Sequence, residues 1–249
     1  MQLITEFMQS IYFGGALFNG ADNLFNISLA KKLEKLSIGQ DEKKYKVILP
    51  QTMGFEFGRL HTALLEVLPS EEVMSAVQNV IYVLDIGKFL PNTYMIARCD
   101  EPLDPGVDIE LAISHFYGNF NIGYRTDVRS PYGSSTDGFG GMHFFPGFMC
   151  DAFIVSPMPC RTLKESDGGI EKLACEINMI IDAVEKDKSS FRWRSPSYKC
   201  IVEIEDYAKL LFDGITDMHS TEGMKEIASR YVKYKEVLKT EILPKFSRI

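Results

Sequence analysis

Residues 10–36 read SIYFGGALFNGADNLFNISLAKKLEKL, and this stretch contains the first evidence for the architecture. A short β-branched and aromatic segment stops at Gly14 and Gly15, which is typical of a strand that ends in a tight turn. The following residues repeat apolar side chains with a helical period. Near one face of this helix we expect Leu24, Ile27, Leu29 and Leu33. The stretch therefore predicts a strand, a loop and a helix in succession.

The same alternation continues along the chain. Further strands are predicted within residues 45–51, 93–99, 121–128 and 148–157, and helices within 58–92, 103–118 and 168–186. Strands that alternate with helices at this spacing predict a five-stranded parallel sheet in a doubly wound α/β fold, with helices on both faces. Two more helices, within 204–215 and 222–246, follow a polar break. We therefore divide the chain into an α/β domain, residues 1–185, and a helical C-terminal extension, residues 186–249.

Composition restricts the classes of function. The chain has 249 residues and a formal net charge of −7, which argues against general binding to the phosphate backbone of nucleic acids. The five cysteines are odd in number and form no C-x-x-C pair, so neither a disulfide framework nor a zinc site is indicated. No apolar run approaches the roughly 18 residues of a membrane span. We expect a cytoplasmic protein that binds a neutral or weakly charged small ligand.

Polar and glycine clusters follow several predicted strands. They are Gly14-Gly15, Gln51, the segment from Asp100 to Asp104, and the segment from Arg125 to Asp127. In an open parallel sheet, ligands bind beyond the carboxyl ends of the strands. These clusters are therefore expected to outline one pocket.

The segment LDPGVDIELAISHFYG, residues 103–118, places two carboxylates, Asp104 and Glu110, close together in sequence. One interpretation is structural: Asp104 and Asp108 form a turn and a helix cap, and Glu110 is a first-turn acid that complements the helix dipole. The other is chemical, because a pair of differently tuned carboxylates can act as nucleophile and proton donor at an anomeric carbon. This stretch alone leaves both open.

Several segments, in this order, resemble nucleoside 2-deoxyribosyltransferases over roughly residues 9–185. The two specific ones are IYFGGALFNGADNLFNISLAKKLEK, residues 11–35, and ARCDEPLDPGVDIELAISHFYG, residues 97–118. VILPQ, a helix end at Asp85, IGYRTDVR and GFM accompany them. The resemblance implies a flavodoxin-like fold and exchange of the base of a 2′-deoxynucleoside through a covalent deoxyribosyl-enzyme intermediate.

The resemblance also implies roles for individual residues. Glu110 would be the nucleophile, Asp104 and Asp85 would bind and protonate the base, and Tyr12 would orient the nucleophile. Substrate-binding positions would be Gly14, Gly15, Phe18, Gln51 and Met149. No metal or organic cofactor is implied, and the partners are a nucleoside and a free nucleobase, not a nucleic acid polymer or a membrane. Because sites of the family are completed across subunits, we expect a homo-oligomer.

One position departs from the pattern of the family. Gly147 stands where the family has an asparagine, although Met149 is kept, so contacts to the nucleophile or to the sugar can differ. Two alternatives stay open: an N-glycosidic hydrolase of nucleosides or nucleoside 5′-monophosphates, and a non-catalytic nucleoside or nucleotide sensor. The sequence does not decide between purine and pyrimidine bases.

Overall fold

The computed structural model describes residues 9–17, 19–36, 44–54, 57–91, 94–158, 160–186 and 199–237. The chain forms two compact units, and each is built from two separate segments. The first unit comprises Met1–Gln51 and Asn92–Ser197, and the second comprises Thr52–Pro91 and Tyr198–Ile249. Residues 52–91, which the sequence analysis assigned to the α/β domain, therefore group with the C-terminal helices.

The first unit contains a five-stranded sheet in which every pair of neighbouring strands is parallel. Its strands are β1 (Gln9–Gly14), β2 (Tyr45–Ile48), β3 (Tyr94–Arg98), β4 (Phe120–Arg125) and β5 (Ala152–Val155). Their order across the sheet is β2-β1-β3-β4-β5. The order reverses beside β1, which is the doubly wound pattern. The predicted fold class is confirmed.

Helices cover this sheet. They are α1 (Gly20–Lys35), α5 (Pro105–Tyr117), α6 (Phe144–Phe148) and α7 (Leu163–Lys186), and the short α2 (Pro50–Met53) follows β2. Alternate residues of a strand point to opposite faces. In β1, Ile11 and Phe13 join the apolar core beneath α1 and α7, whereas Tyr12 points to the α5 face, where its hydroxyl contacts that helix. Because side chains alternate along β1, the Tyr12 hydroxyl points towards α5.

The second unit is helical. It contains α3 (Phe57–Leu65), α4 (Ser70–Tyr82), a π-helical segment (Val83–Phe89), α8 (Lys199–Phe212) and α9 (Thr221–Val237). Buried Asn79 of α4 donates a hydrogen bond from Nδ2 to the hydroxyl of Tyr231 on α9, at 2.9 Å. The Lys88 ammonium lies 5.7 Å from the centre of the Phe212 ring. The N-terminal and C-terminal segments of this unit are thus joined by direct contacts.

Some local expectations were inaccurate. Leu24 is 68% exposed rather than on the buried face of α1, because that face follows Asn26, Leu29, Ala30 and Leu33 instead. The segment before β5, for which no helix was predicted, contains the short helix α6. Within the described residues, no helix combines the length and the apolar character that crossing a bilayer requires.

Candidate active site

The centre of the candidate site is a contact between Tyr12 and Glu110. The fully buried Tyr12 donates a hydrogen bond from its hydroxyl to Glu110 Oε1, at 2.8 Å, across 98 residues of sequence. β1 supplies the hydroxyl and α5 supplies the carboxylate. Because the hydroxyl donates to the carboxylate, this contact fixes the orientation of the Glu110 side chain.

Gly14 lies beside this carboxylate. A Cβ atom placed on Gly14 would come within 3.4 Å of Glu110 Oε2 and 2.8 Å of Cε of Met95. The absent side chain therefore leaves the end of β1 close to the carboxylate. A side chain at Gly14 would therefore displace the end of Met95 and lie against the Glu110 carboxylate.

Asp104 caps the helix that carries Glu110. Its Oδ1 accepts hydrogen bonds from the backbone N–H of Gly106, at 2.9 Å, and of Val107, at 3.2 Å, which are groups that the helix itself leaves unpaired. The cap prediction is confirmed. The prediction that Glu110 is a first-turn acid is wrong, because Asp108 is the acid of that turn and Glu110 lies one turn later.

Asp104 also lines a cleft of about 630 Å³ beyond the carboxyl ends of the strands. Its described lining is Ala16, Asn19, Asp22, Arg98, Asp100, Glu101, Pro102, Leu103, Asp104, Pro105 and Arg129. The four carboxylates outnumber the two guanidinium groups. Arg98 bonds Asp22 and Asp100, at 2.9 and 2.7 Å. The surroundings therefore suit a neutral ligand better than an anion. Tyr12, Gly14, Gly15, Gln51 and Glu110 are not among these described lining residues.

Asp100 connects the ends of β3 and β4. Its carboxylate accepts from Thr126 N and Oγ1, both at 2.6 Å, and from the backbone N–H of Asp127, at 3.0 Å. Burial works against the ionised form, but the hydrogen bonds from Thr126 and the charge of Arg98 outweigh it and lower the pKa of Asp100. The polar residues that follow β3 and β4 thus come together at Asp100. The expected single pocket is not confirmed, because the glycine pair, Gln51 and the segment from Arg125 to Asp127 are not among the described residues that line the cleft.

The side-chain amide of Asn26, which was not among the predicted site residues, lies beside both Gly15 and Gln51. Buried Asn26 donates from Nδ2 to the carbonyl oxygen of Ala16, at 3.1 Å, and to Gln51 Oε1, at 3.3 Å. A Cβ atom on Gly15 would lie 3.1 Å from Asn26 Oδ1. The helical period of the sequence could have indicated that Asn26 is buried, since it lies on the same face of α1 as Leu29. This amide fixes the loop that follows β1.

Asp85 lies in the second unit, on the π-helical segment. Its carbonyl oxygen accepts a bond from Leu90 N at 3.0 Å, five residues later. Its Oδ1 is buried and has no hydrogen-bond partner among the described residues. Burial raises the pKa of Asp85 from 3.8 to about 7. A carboxyl group that is half protonated near neutral pH suits proton donation, and its place in the site stays a prediction.

The Met149 segment is held by buried polar contacts. Asn121 of β4 donates from Nδ2 to the carbonyl oxygen of Met149, at 2.9 Å, and its Oδ1 accepts from the Ser114 hydroxyl of α5, at 2.7 Å. A Cβ atom on Gly147 would lie 2.6 Å from the Phe139 ring. The ring thus occupies the space that an asparagine at this position would need.

Phe18, the remaining substrate-binding candidate, lies outside the described residues. Among those that are described, no group of three or more potential metal-ligating side chains comes together. Neither a scan of models of known protein families nor a search of curated proteins finds a match to this chain.

Proposed function

We propose that this protein transfers 2-deoxyribose between nucleobases, with Glu110 as the nucleophile. The observation that supports this most directly is the hydrogen bond from Tyr12 to Glu110, at 2.8 Å. It joins the two residues to which the resemblance assigns the orienting hydroxyl and the nucleophilic carboxylate. Cap residues and core packing do not require a buried tyrosine to meet a carboxylate of the second helical turn.

The reaction proceeds in two displacements. Glu110 attacks C1′ of the nucleoside, the N-glycosidic bond breaks, and the base leaves with a proton from an acidic group. The deoxyribosyl group is then held as a glutamyl ester. The nitrogen of a second base attacks C1′ from the face that the first base left, and its proton passes to the acidic group that protonated the first base. This step breaks the ester and restores the carboxylate and the original configuration.

The two proposed acids, Asp104 and Asp85, lie at different positions in the chain. Asp104 lies six residues before Glu110, which corresponds to roughly 9 Å along the helix axis. In the proposal, Asp104 contacts the base when C1′ lies at Glu110. Asp85, with a pKa of about 7, has the protonation behaviour of a general acid near neutral pH.

The charges of the 630 Å³ cleft support nucleosides rather than nucleoside 5′-monophosphates as substrates. Asp22, Asp100, Glu101 and Asp104 would repel a phosphate, and the guanidinium of Arg98 is already paired with two of these carboxylates. This weakens the monophosphate form of the hydrolase alternative. Hydrolysis of unphosphorylated nucleosides is separated from transfer by the products.

The first test incubates the protein with 2′-deoxyinosine, with and without free cytosine, and follows the products by liquid chromatography. Transfer yields deoxycytidine only when cytosine is present, whereas hydrolysis releases hypoxanthine and deoxyribose in both reactions. Binding without any product, measured by calorimetry, would support a sensor and contradict the proposal.

The second test substitutes Glu110 and Tyr12. Glu110→Gln should lower kcat at least about a thousandfold while preserving the fold, because the amide cannot form the ester. Tyr12→Phe should lower kcat about tenfold or more with a smaller change in KM, because the hydroxyl orients a group that reacts. Full activity of Glu110→Gln would overturn the assignment. Mass spectrometry without an acceptor should find a deoxyribosyl adduct on Glu110.

A further inference from the structure

A second cleft, of about 530 Å³, shares Glu101, Pro102 and Leu103 of the loop that precedes α5 with the first cleft. It is formed by this loop, by the side of α5 that carries Asp108 and Ala112, and by the segment 132–149. Its described lining is Glu101, Pro102, Leu103, Asp108, Ala112, Tyr132, His143, Phe145, Pro146 and Met149. Its volume falls in the range of small-molecule sites. Met149 is the one residue of this described lining to which the resemblance assigns substrate binding.

Aromatic rings form one wall of the cleft. The rings of Tyr132 and Phe145 lie 5.2 and 5.1 Å from the His143 ring, centre to centre, and both meet it at steep angles of 82° and 76°. Tyr132 and Phe145 are each 63% exposed. Large aromatic faces that stay open at the mouth of a cavity are suited to stacking on a planar ligand.

A carboxylate without a partner lies in the same cleft. Oδ1 of Asp108 is buried and accepts no hydrogen bond from the described residues. Several other described side chains also have a buried unpaired atom, namely Asn23, Asn26, Asp85, Tyr124, Arg125 and Glu176. None of these lines either of the two clefts. Asp108 thus lines the cavity and carries one buried oxygen that has no hydrogen-bond partner among the described residues.

The charge around Asp108 indicates which ligands fit. Burial, followed by the charges of Glu101 and Asp104, raises the pKa of Asp108, and His143 acts in the opposite direction. Such a shift is expected of an acceptor that lacks donors. A ligand that brings N–H groups would stabilise the ionised carboxylate, whereas an anionic ligand would be repelled by Glu101 and Asp108.

We propose that this second cleft binds a planar heterocycle with two adjacent N–H donors, such as the edge of a guanine-type base. A carboxylate is an acceptor with two oxygens, so it matches a ring N–H and a neighbouring amino group. Tyr132, His143 and Phe145 would contact the face of the ring. The site depends on these residues alone and not on the chemistry of Glu110.

The test uses a matched pair of ligands, 9-methylguanine and 9-methylhypoxanthine, which differ only in the exocyclic amino group. The methyl group on N9 prevents either compound from accepting a sugar there. Calorimetry should show 9-methylguanine binding about tenfold or more tightly, because its analogue lacks one donor to Asp108. Equal affinities, or no binding of 9-methylguanine at millimolar concentration, would overturn the proposal.

Variants assign the binding to this cleft. Asp108→Leu should lower the affinity for 9-methylguanine at least about tenfold and remove the preference for the amino group. The variant is expected to keep its fold, because the substitution removes a buried oxygen that has no hydrogen-bond partner among the described residues. Phe145→Ala should also weaken binding, whereas Phe148→Ala should not, since Phe148 is equally exposed, at 62%, but is not among the described lining residues. Unchanged binding in Asp108→Leu and Phe145→Ala contradicts the proposal.

Two further variants separate this proposal from deoxyribosyl transfer. Glu110→Gln should lose base exchange but retain the affinity for 9-methylguanine, and Arg129→Ala, at the first cleft, should also retain it. Loss of 9-methylguanine binding in Glu110→Gln would place the ligand at the Glu110 carboxylate and overturn the second site. Absence of base exchange in the native protein, with binding intact, would overturn only the proposed function.

Discussion

Tyr12 and Glu110 illustrate which residue contacts local sequence can predict. The cap by Asp104 follows from the local sequence Asp-Pro-Gly before an apolar helix, because both partners lie within three residues. The contact between Tyr12 and Glu110 joins residues that are 98 positions apart, and only the family resemblance indicated it. Orientation by a buried hydroxyl is therefore a tertiary property that residue patterns do not encode locally.

Asp85 makes a prediction at the residue scale. Its pKa is raised by burial from 3.8 to about 7, so between these pH values the folded state holds a proton that the unfolded state has released. Its stabilising contribution is present at low pH and is lost as the pH rises through this window. Asp85→Asn does not titrate. The free energy of unfolding of the variant, relative to that of the native protein, should therefore rise by roughly 2–4 kcal/mol from about pH 4 to about pH 8.

Urea unfolding of the two proteins across this pH range measures the difference. Asp213→Asn is the control, because Asp213 is an exposed carboxylate of the same helical unit. A pH-independent difference for Asp85→Asn would show that the carboxyl is not desolvated in solution.

At the scale of elements, the sheet was predictable and the irregular helices were not. Strands show period-two or continuous apolar patterns that reflect burial directly, so all five were located. The region 58–92 was predicted to hold one or two helices, but it forms α3, α4 and a π-helical segment. A π-type bond such as that from Leu90 N to the carbonyl of Asp85 adds one residue to a turn. The apolar periodicity of a window this short does not resolve that shift.

The helix α6 makes a prediction about the departure at Gly147. Gly147→Asn should destabilise the protein by about 1–3 kcal/mol, because its Cβ would lie 2.6 Å from the Phe139 ring. Thermal unfolding measures this loss. Gly138→Asn is the matched control, since nothing lies within 4 Å of its Cβ position. Adding Phe139→Ala should restore part of the loss caused by Gly147→Asn, and no rescue would mean that another contact excludes the side chain.

At the scale of the whole molecule, the two units divide the chain differently from the boundary at 185 and 186 that the sequence suggested. That boundary stays a prediction about where the resemblance ends. The sequence could not reveal the grouping of residues 52–91 with 198–249, because it depends on contacts such as that of Asn79 with Tyr231, 152 residues apart. Amphipathic patterns show that a helix face is buried, but not what covers it.

This grouping predicts that the C-terminal helices are required for the fold of residues 52–91. A chain that ends at residue 198 lacks α8 and α9, so α4 loses the partner of Asn79 and the π-helical segment loses Phe212. Limited proteolysis should then cleave within residues 52–91 much faster than in the full chain, because local protection follows buried contacts. Equal protection in the shortened chain would contradict this role.

The discontinuous second unit also has a consequence during synthesis. The ribosome completes residues 52–91 roughly a hundred residues before it reaches α8, an interval on the order of 5–20 s. Until then α3 lacks α9 and the π-helical segment lacks α8, which are their contact partners in the finished protein. The nascent chain therefore passes through a stage in which α3 and α4 are complete but α8 and α9 have not been synthesised. Chaperone binding at that stage would favour correct assembly.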